Sequence, residues 1–307
     1  MKDIELHIKN YLNYCSLQKR LDTKTLKAYR IDLSQFTSYI SVTQLTDITQ
    51  DTLEHYISHL HQNYQPKTVK RKIASLKTAF RYFEYKELIS QNPFNKMQIK
   101  FREPIILPKT IPLHAVERLL KTIYCQQLNA RTAYQRKNAV RDSAVCELLF
   151  ATGMRISELC SLNVDDVNLQ DGTILIYGKG SKERRLQLGN TDVIAALEKY
   201  QAAFSSERAS CHHFFANQSS KPLSDQTVRR MINKYTKLAA LELHITPHMF
   251  RHTFATSLLE ADVDIRYIQE MLGHSSINIT EIYTHVTLSK QRDILSSKHP
   301  RKDFNIC

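Results

Sequence analysis

Six side chains in the second half of this sequence supply the groups needed to break and rejoin a phosphodiester without a metal ion. They are two arginines, a lysine, two histidines and a tyrosine: Arg155, Lys179, His248, Arg251, His274 and Tyr283. Guanidinium groups bind phosphate oxygens in pairs, and a tyrosine hydroxyl can attack phosphorus and keep the phosphoryl group as an ester. Lysine and histidine can deliver and accept protons. No single residue is diagnostic, but the ordered set predicts cleavage and rejoining of DNA strands.

The first arginine and a nearby carboxylate form one local motif. Arg155 lies in the segment ATGMRISEL, directly after a glycine break at the end of an apolar helical run, and Glu158 follows one turn later. Such a carboxylate can orient the guanidinium for phosphate binding, or the two residues can form an ordinary surface pair. The sequence leaves both interpretations open.

The candidate lysine lies at a predicted hairpin turn. Lys179 is flanked by Gly178 and Gly180, and glycines permit the close backbone approach that would let a hairpin tip enter a DNA groove. The alternative is a solvated surface charge, which is the usual state of a lysine on a tight turn. Two further cations follow and are predicted to bind DNA, Lys182 and Arg184.

A second motif, ITPHMFRHTFATSLL, is typical of the start of a helix. Thr246 is expected as the N-cap and Pro247 as the first helical residue. His248 and Arg251 then lie on one face near the helix N-terminus, where the partial positive charge favours phosphate binding. His252 falls on a different face, and we interpret it as structural.

The last two candidates follow the end of another helix. Gly273 is typical of the residue after a helix, His274 comes next, and Tyr283 lies on a predicted short helix further on. The chain contains 15 tyrosines. Tyr283 is therefore singled out by its position relative to the other candidates.

The net charge predicts a polyanionic partner. The 307 residues include 43 Lys and Arg against 30 Asp and Glu, a formal net charge of +13, and 42% of them are hydrophobic, as in a globular protein. A membrane surface would require an anchor, an apolar span or a basic amphipathic helix, and the sequence has none of these. Residues 1–102 hold 17 of the cations against 9 carboxylates. We expect double-stranded DNA as the partner, and no membrane.

The sequence predicts neither a cofactor nor a metal site. It has no P-loop and no Gly-x-Gly-x-x-Gly motif, and its His and Cys clusters lack the second ligand pair of a metal site. None of the six cysteines forms a Cys-x-x-Cys pair, and the first residues lack the apolar stretch of a signal peptide. These features predict a cytoplasmic protein with reduced thiols.

Hydrophobic periodicity divides the chain into two parts joined by a linker. Residues 1–100 are predicted to form four amphipathic helices and a short fifth segment, and 101–112, with three prolines, a linker. Residues 113–307 are predicted to be mainly helical with a small antiparallel β-sheet. The fourth helix carries cations that we expect to contact DNA: Lys70, Arg71, Lys77 and Arg81.

Together these motifs resemble the tyrosine recombinases of the phage integrase family, particularly the Xer-type branch. The resemblance spans nearly the whole chain and rests on ATGMRISEL, GKGSKERR, HMFRHTFAT, MLGHSSINITEIYTHV and KHPR. It implies a two-domain clamp around duplex DNA: a helical, SAM-like core-DNA-binding domain at 1–100 and an α+β catalytic domain at 113–307. The segment 124–140 is longer and more polar than is usual in that branch, and forms either an extended loop or lengthened helix ends.

The resemblance also implies a role for each candidate. Arg155 and Arg251 would clamp the phosphate, and Tyr283 would be the nucleophile. Lys179 would be the general acid and Glu158 a supporting carboxylate. The two histidine positions of the family fall on His248 and His274.

The enzyme implied by this resemblance is a site-specific recombinase that uses a 3′-phosphotyrosine intermediate and neither metal nor ATP. It would act on paired inverted half-sites as a homo-oligomer, a dimer on one site and a tetramer at synapsis, or together with a paralogous recombinase. Its tail, residues 288–307, would dock on a neighbouring protomer. The absence of an arm-binding extension favours core-site recombination, but chromosome-dimer resolution and mobile-element integration or excision both remain open.

Three other classes share part of the pattern. A type IB topoisomerase uses the same chemistry but rejoins the same strand. A DNA-binding regulator would have a vestigial active site, and the intact set of six residues argues against it. A metal-dependent transposase would need a carboxylate triad, of which the sequence shows no clear instance.

Overall fold

The chain divides into two units, Met1–Ile105 and Ile106–Cys307, which we call the N-terminal and C-terminal units. The computed structural model describes residues 3–99, 109–178 and 183–273. Most of the predicted linker therefore lies outside the described residues. So do Lys179, Lys182, His274, Tyr283 and the tail at 288–307.

Helices make up most of the described N-terminal unit, and three of the four begin at a local start signal in the sequence. The side chain of Asp22 accepts a hydrogen bond from the backbone N–H of Thr25 at 2.8 Å, and Thr49 caps the third helix in the same way. The third helix follows a short 3₁₀ turn at Leu45–Asp47 and begins at Gln50. The four helices are α1 (Asp3–Leu17), α2 (Thr23–Tyr39), α3 (Gln50–Asn63) and α4 (Pro66–Tyr85). The described residues after α4, up to 99, form turns and no further helix.

An aromatic core fills the N-terminal unit. Phe36 of α2 packs edge-on against Phe80 of α4, with ring centroids 6.2 Å apart, and Tyr11 of α1 lies beside Phe83. These four rings are almost completely buried. Because each ring comes from the apolar face of an amphipathic helix, their burial leaves the opposite faces to solvent.

The C-terminal unit begins with two long helices and one short helix, followed by a three-stranded sheet. Its helices before the sheet are α5 (Leu113–Leu128), α6 (Ala133–Thr152) and α7 (Ile156–Ser161). The strands are β1 (Val167–Asn168), β2 (Thr173–Tyr177) and β3 (Glu183–Gln187), antiparallel in the order β1–β2–β3. The helices after the sheet are α8 (Thr191–Ala203), α9 (Ser205–Ala209), α10 (Asp225–Leu238), α11 (Pro247–Glu260) and α12 (Ile265–Leu272). A mainly helical fold with a small antiparallel sheet is thereby confirmed.

Helix α6 runs through the core of the C-terminal unit. It packs against α5, α8 and α11, and the side chains of its second half are buried on all sides. Its buried polar groups have partners within the unit: Tyr235 donates to Asp142 at 3.1 Å, and Tyr124 donates to Glu147 at 2.8 Å. The polar segment 124–140 belongs to the ends of α5 and α6, with a break of only four residues, which selects lengthened helix ends over an extended loop.

Two glycines with positive φ end the helices that lead into the candidate site. Gly153 ends α6 at φ +58°, and a Cβ there would lie 2.7 Å from the ring of Phe254. Gly273 ends α12 at φ +64°, and a Cβ there would lie 3.0 Å from Nη1 of Arg184. Because both the backbone conformation and the available space exclude a side chain, glycine is required at these two helix ends.

No helix in the part of the chain that the structure describes is long and apolar enough to cross a membrane. Within the same ranges no three His, Cys, Asp or Glu side chains are grouped so that they could hold a metal ion. Among the described cysteines, Cys15, Cys125, Cys146 and Cys211 are free thiols.

Candidate active site

The described candidates converge on the junction between α6 and α7. Arg155 lies in this junction, two residues after the glycine that ends α6, and Glu158 lies in the first turn of α7. His248 and Arg251 lie in the first turns of α11. The structure thus brings together four of the predicted site residues. The other three members of that set, Lys179, His274 and Tyr283, lie outside the described residues.

Arg251 is buried and links three elements through its guanidinium. Its Nη1 donates to the carbonyl of Gly153 at 2.9 Å, across 98 residues of sequence. Its Nη2 donates to the carbonyl of Leu272 at 2.7 Å, at the C-terminus of α12. Because the carbonyls at a helix end carry partial negative charge, both acceptors suit a cation. Arg251 is thereby fixed beside the junction that carries Arg155.

Glu158 is a buried carboxylate that holds Arg155. Its Oε1 accepts from Nη1 of Arg155 at 2.8 Å, and its Oε2 accepts from the backbone N–H of Arg155, also at 2.8 Å. Only 5% of the Glu158 side chain is exposed, compared with 36% of the Arg155 side chain. Because the carboxylate is enclosed, the two residues are not an ordinary surface pair, and the hydrogen bonds fix the position of the Arg155 guanidinium.

Arg184 of β3 is the second guanidinium on this carboxylate. Its Nη2 lies 2.7 Å from Oε2 of Glu158, its Nη1 lies 3.1 Å from Oε1, and its Nε donates to the carbonyl of Met271 at 2.8 Å. Only 8% of its side chain is exposed. Arg184 was predicted to bind DNA, but the structure places its guanidinium inside the protein. No local pattern reveals this contact, because Arg184 and Met271 are 87 residues apart in sequence.

The pKa of Glu158 reflects its two guanidinium partners. Burial raises the pKa of this carboxyl, but hydrogen bonds from Arg184 and Arg155 outweigh burial and hold it below its usual range. Glu158 is therefore ionised at neutral pH and carries a full negative charge next to both arginines.

His248 occupies a cationic environment on α11. Desolvation by the surrounding protein lowers its pKa, and the positive charge of Arg229 on α10 lowers it further. Arg251 and Arg155 act in the same direction. Since its pKa lies below the usual value, the imidazole is neutral at pH 7 and can accept a proton or donate a hydrogen bond. Arg229 was not singled out from the sequence, where it is one of several cations on an amphipathic helix.

The local structure around His248 agrees with the sequence except at the cap. Pro247 is the first residue of α11 and Thr246 is its N-cap residue, but the Thr246 side chain makes no capping hydrogen bond. His252, which we interpret as structural, is half-buried. Burial, together with the charges of His248 and Arg251, lowers the pKa of His252 to about 4.

The N-terminal unit presents the predicted basic face on α4. Lys70, Lys77 and Arg81 recur at helical spacing, with Lys77 half-buried and the other two exposed. Arg71 is 46% exposed and forms an ion pair with the buried carboxylate of Asp32. Lys72, which the sequence did not mark as different from its neighbours, is buried and reaches the same carboxylate at 3.3 Å. Among the described cations of α4, Lys72 is therefore buried in the core, Lys77 is half-buried and the others are exposed.

Two family models match this chain. The phage integrase family matches residues 117–290, and the phage integrase N-terminal SAM-like domain matches residues 8–87. A tyrosine recombinase of Agathobacter rectalis is 65% identical over 305 residues, which cover 99% of this chain and 100% of the relative. Tyrosine recombinase XerD of Listeria monocytogenes is 36% identical over 305 residues, 96% of this chain and 98% of the relative.

Solved structures share the fold. XerH site-specific recombinase bound to palindromic difH substrate superposes with a TM-score of 0.73 at 23% identity, over 93% of this chain and 83% of that one. A lambda integrase tetramer bound to a Holliday junction superposes with a TM-score of 0.69 at 17% identity, over 91% of this chain and 76% of that one. The chain therefore belongs to the phage integrase family and is a site-specific tyrosine recombinase of the Xer-like kind.

Proposed function

We propose that this enzyme cleaves and rejoins double-stranded DNA at a specific site, with Tyr283 as the nucleophile. The tyrosine hydroxyl attacks phosphorus, the bond to the 5′ oxygen breaks, and a 3′-phosphotyrosine forms. The 5′-hydroxyl of a partner strand then attacks the ester and releases the tyrosine. Because the ester keeps the energy of the broken bond, ATP is not needed, and the two arginines take the charge-stabilising part that a metal ion plays in other enzymes.

The observation that carries this proposal is the convergence of Arg155, Arg251 and His248 at one junction. Arg251 donates to the carbonyl of Gly153, two residues before Arg155, and the charges of both arginines depress the pKa of His248. Two guanidiniums and a neutral imidazole therefore lie within electrostatic range of one another. Such a group suits a phosphodiester whose non-bridging oxygens gain negative charge during attack.

The proposed division of labour follows from the state of each group. Arg155, held by Glu158 but partly exposed, and Arg251, held by backbone carbonyls, stabilise the charge on the phosphoryl oxygens. His248 is neutral and can take or return a proton. For the positions outside the described residues, we propose Lys179 as the acid that protonates the leaving 5′ oxygen and His274 as the second histidine.

DNA and further copies of the chain are the proposed partners. The basic face of α4, with Lys70, Arg71, Lys77 and Arg81, would contact the duplex, and Lys182 would add to the positive field near Lys179. Paired inverted half-sites would assemble a dimer on each site and a tetramer at synapsis, as a homo-oligomer or with a paralogous recombinase. The free thiols of Cys15, Cys125, Cys146 and Cys211 support a reducing location, for which we propose the cytoplasm.

Covalent capture tests this function directly. A binding site is first selected from a pool of random-sequence duplexes by the wild-type chain, and this selected duplex is then nicked at successive positions in separate substrates. We expect the wild-type chain to form a covalent adduct with at least one nicked substrate, because the short 5′-hydroxyl strand diffuses away. Tyr283→Phe should bind the selected duplex with unchanged affinity and form no adduct. An adduct formed by Tyr283→Phe would refute the assignment of the nucleophile.

A further inference from the structure

One buried carboxylate is shared by two guanidiniums at the candidate site. Glu158 accepts hydrogen bonds from the side chain and backbone of Arg155 and from both terminal nitrogens of Arg184. The two arginines differ in access: 36% of the Arg155 side chain is exposed, compared with 8% of the Arg184 side chain. Only Arg155 is therefore placed to reach a phosphate, and Arg184 stays behind the carboxylate.

Counting charges shows why a single arginine on Glu158 would be a poor phosphate ligand. Glu158 with Arg155 alone is a neutral pair, and a neutral pair offers little attraction to a phosphodiester anion. The carboxylate would also repel the phosphate across a short distance in a partly desolvated site. With Arg184 present, the three groups together carry one net positive charge, and it is exposed on the Arg155 side.

We propose that Arg184 is a positioning residue that neutralises Glu158, so that Arg155 keeps its positive charge for the phosphate while Glu158 still orients it. This inference rests on the proposed function, since it assigns Arg155 to the phosphate. Arg184 touches no substrate in this scheme and acts entirely through the shared carboxylate.

The end of α12 fixes Arg184 in this role. Its Nε donates to the carbonyl of Met271, and Arg251 donates to the next carbonyl, that of Leu272. Two cations on successive carbonyls match the negative end of the helix dipole. Gly273 completes the arrangement, because a Cβ there would lie 3.0 Å from Nη1 and 3.2 Å from Cδ of Arg184. Both arginines are thereby held on the last two residues of α12, shortly before His274 in the sequence.

A double-mutant cycle between Arg184 and Glu158 tests the proposal. The variants are Arg184→Met, Glu158→Gln, the double variant and Arg184→Lys, each assayed for single-turnover adduct formation on the nicked selected duplex at saturating DNA. We expect Arg184→Met to slow adduct formation by about 10- to 100-fold, less than the loss of a group that contacts the phosphate. Gel shifts on the unnicked duplex should show little change in affinity, because the effect lies in the chemical step.

The sign of the coupling between the substitutions at Arg184 and Glu158 distinguishes neutralisation of the Glu158 charge from mechanical support of its side chain. If Arg184 neutralises Glu158, removing the carboxylate makes Arg184 dispensable, so the double variant should react faster than Arg184→Met and close to Glu158→Gln. Arg184→Lys keeps the charge and should remain within about tenfold of wild type. If Arg184 only held the Glu158 side chain in place, the double variant would react no faster than Arg184→Met, and Arg184→Lys would react as slowly as Arg184→Met. Either of those results overturns the proposal.

Two controls keep the outcome interpretable. Arg266→Met removes a cation from α12 whose side chain is 84% exposed and paired with Asp264, and it should leave adduct formation unchanged. If Arg184→Met does not fold, two comparisons still decide the question. One is the double variant against Glu158→Gln, and the other is Arg184→Lys against wild type. A wild-type chain that forms no adduct would overturn the proposed function itself. A reactive wild type without the predicted coupling overturns only the role of Arg184.

Discussion

The two arginines of the proposed clamp are held by different parts of the protein. Arg251 is buried and donates to the backbone carbonyls of Gly153 and Leu272, both in the core. Arg155 is partly exposed, and the single carboxylate of Glu158 accepts from both its guanidinium and its backbone N–H. Arg251 therefore joins three helices in addition to its proposed catalytic role, whereas Arg155 does not.

We expect this difference to separate activity from stability. Arg155→Ala and Arg251→Ala should each reduce adduct formation by about 10²- to 10³-fold, because each removes a preorganised donor to the phosphate. Arg251→Ala should also lower the free energy of unfolding by about 1–3 kcal/mol, because two buried carbonyls lose a donor. Single-turnover assays and urea unfolding of both variants measure the two effects.

A lysine variant serves as the control for this comparison. Arg251→Lys keeps the positive charge but cannot donate to both carbonyls. It should therefore lower the free energy of unfolding, but by less than Arg251→Ala does. Equal free energies of unfolding for wild type and Arg251→Ala would contradict the structural role of this residue.

The sequence predicted which residue types belong to the site better than how they are held. The motifs around Arg155 and around His248 and Arg251 are local, and the structure brings them together near the junction of α6 and α7. The contact of Arg184 with Glu158 and Met271 joins β3, α7 and α12, so no spacing in the sequence records it. The cations after the predicted hairpin turn look alike in sequence, and burial alone separates Arg184 as one held inside the protein.

At the scale of single elements, α4 combines a buried apolar face with an exposed basic one. Val69, Ile73 and Phe80 are buried, whereas Lys70 and Arg81 face solvent. The buried carboxylate of Asp32, which packs beside α4, has partners within the unit: it pairs with Arg71 and Lys72 and accepts a hydrogen bond from Ser75. The exposed cations thus lie on a helix whose opposite face is packed into the core, where they can contact phosphates.

Removing these charges should weaken DNA binding and reduce its dependence on salt. We expect the triple variant Lys70→Ala, Lys77→Ala, Arg81→Ala to bind the selected duplex less tightly. Its slope of log affinity against log salt concentration should be less negative by about 2–3, because each lost phosphate contact releases about one counterion fewer. Gel shifts between about 0.05 and 0.2 M salt measure both quantities.

A charge-matched variant tests whether position matters. Arg118→Ala, Lys121→Ala, Lys199→Ala also removes three cations, from exposed positions of α5 and α8. It should leave the salt slope nearly unchanged. Equal effects of the two triple variants would show that α4 contributes only net charge and makes no specific contact.

Element boundaries were predictable where a local signal exists. Asp22, Pro66 and Gly273 mark helix ends in the sequence and in the structure. The sequence left the start of α6 open between a loop and a lengthened helix, because its polar first turns resemble a loop and its later turns are buried on all sides, so the helical period is weak. The six residues of α7 are too few to show any period.

At the scale of the whole molecule, core and charge are distributed differently between the two units. The buried apolar residues form separate clusters, one in the N-terminal unit and the larger one in the C-terminal unit. Residues 1–102 nevertheless hold 17 of the 43 Lys and Arg and only 9 of the 30 Asp and Glu. The described catalytic candidates all lie in the C-terminal unit. We therefore expect much of the electrostatic attraction for DNA to come from the N-terminal unit, whereas the described catalytic candidates lie in the C-terminal unit.

Removing the N-terminal unit should therefore weaken DNA binding without unfolding the C-terminal unit. We expect the fragment 106–307 to unfold cooperatively on heating, because its core is complete without the N-terminal unit. Its affinity for the selected duplex should fall by about 10²-fold or more at 0.1–0.2 M salt, with a less steep salt dependence, because the basic face of α4 is lost. Circular dichroism melting and gel shifts measure the two properties. A folded fragment that binds as tightly as the full chain would show that the catalytic unit alone recognises the site.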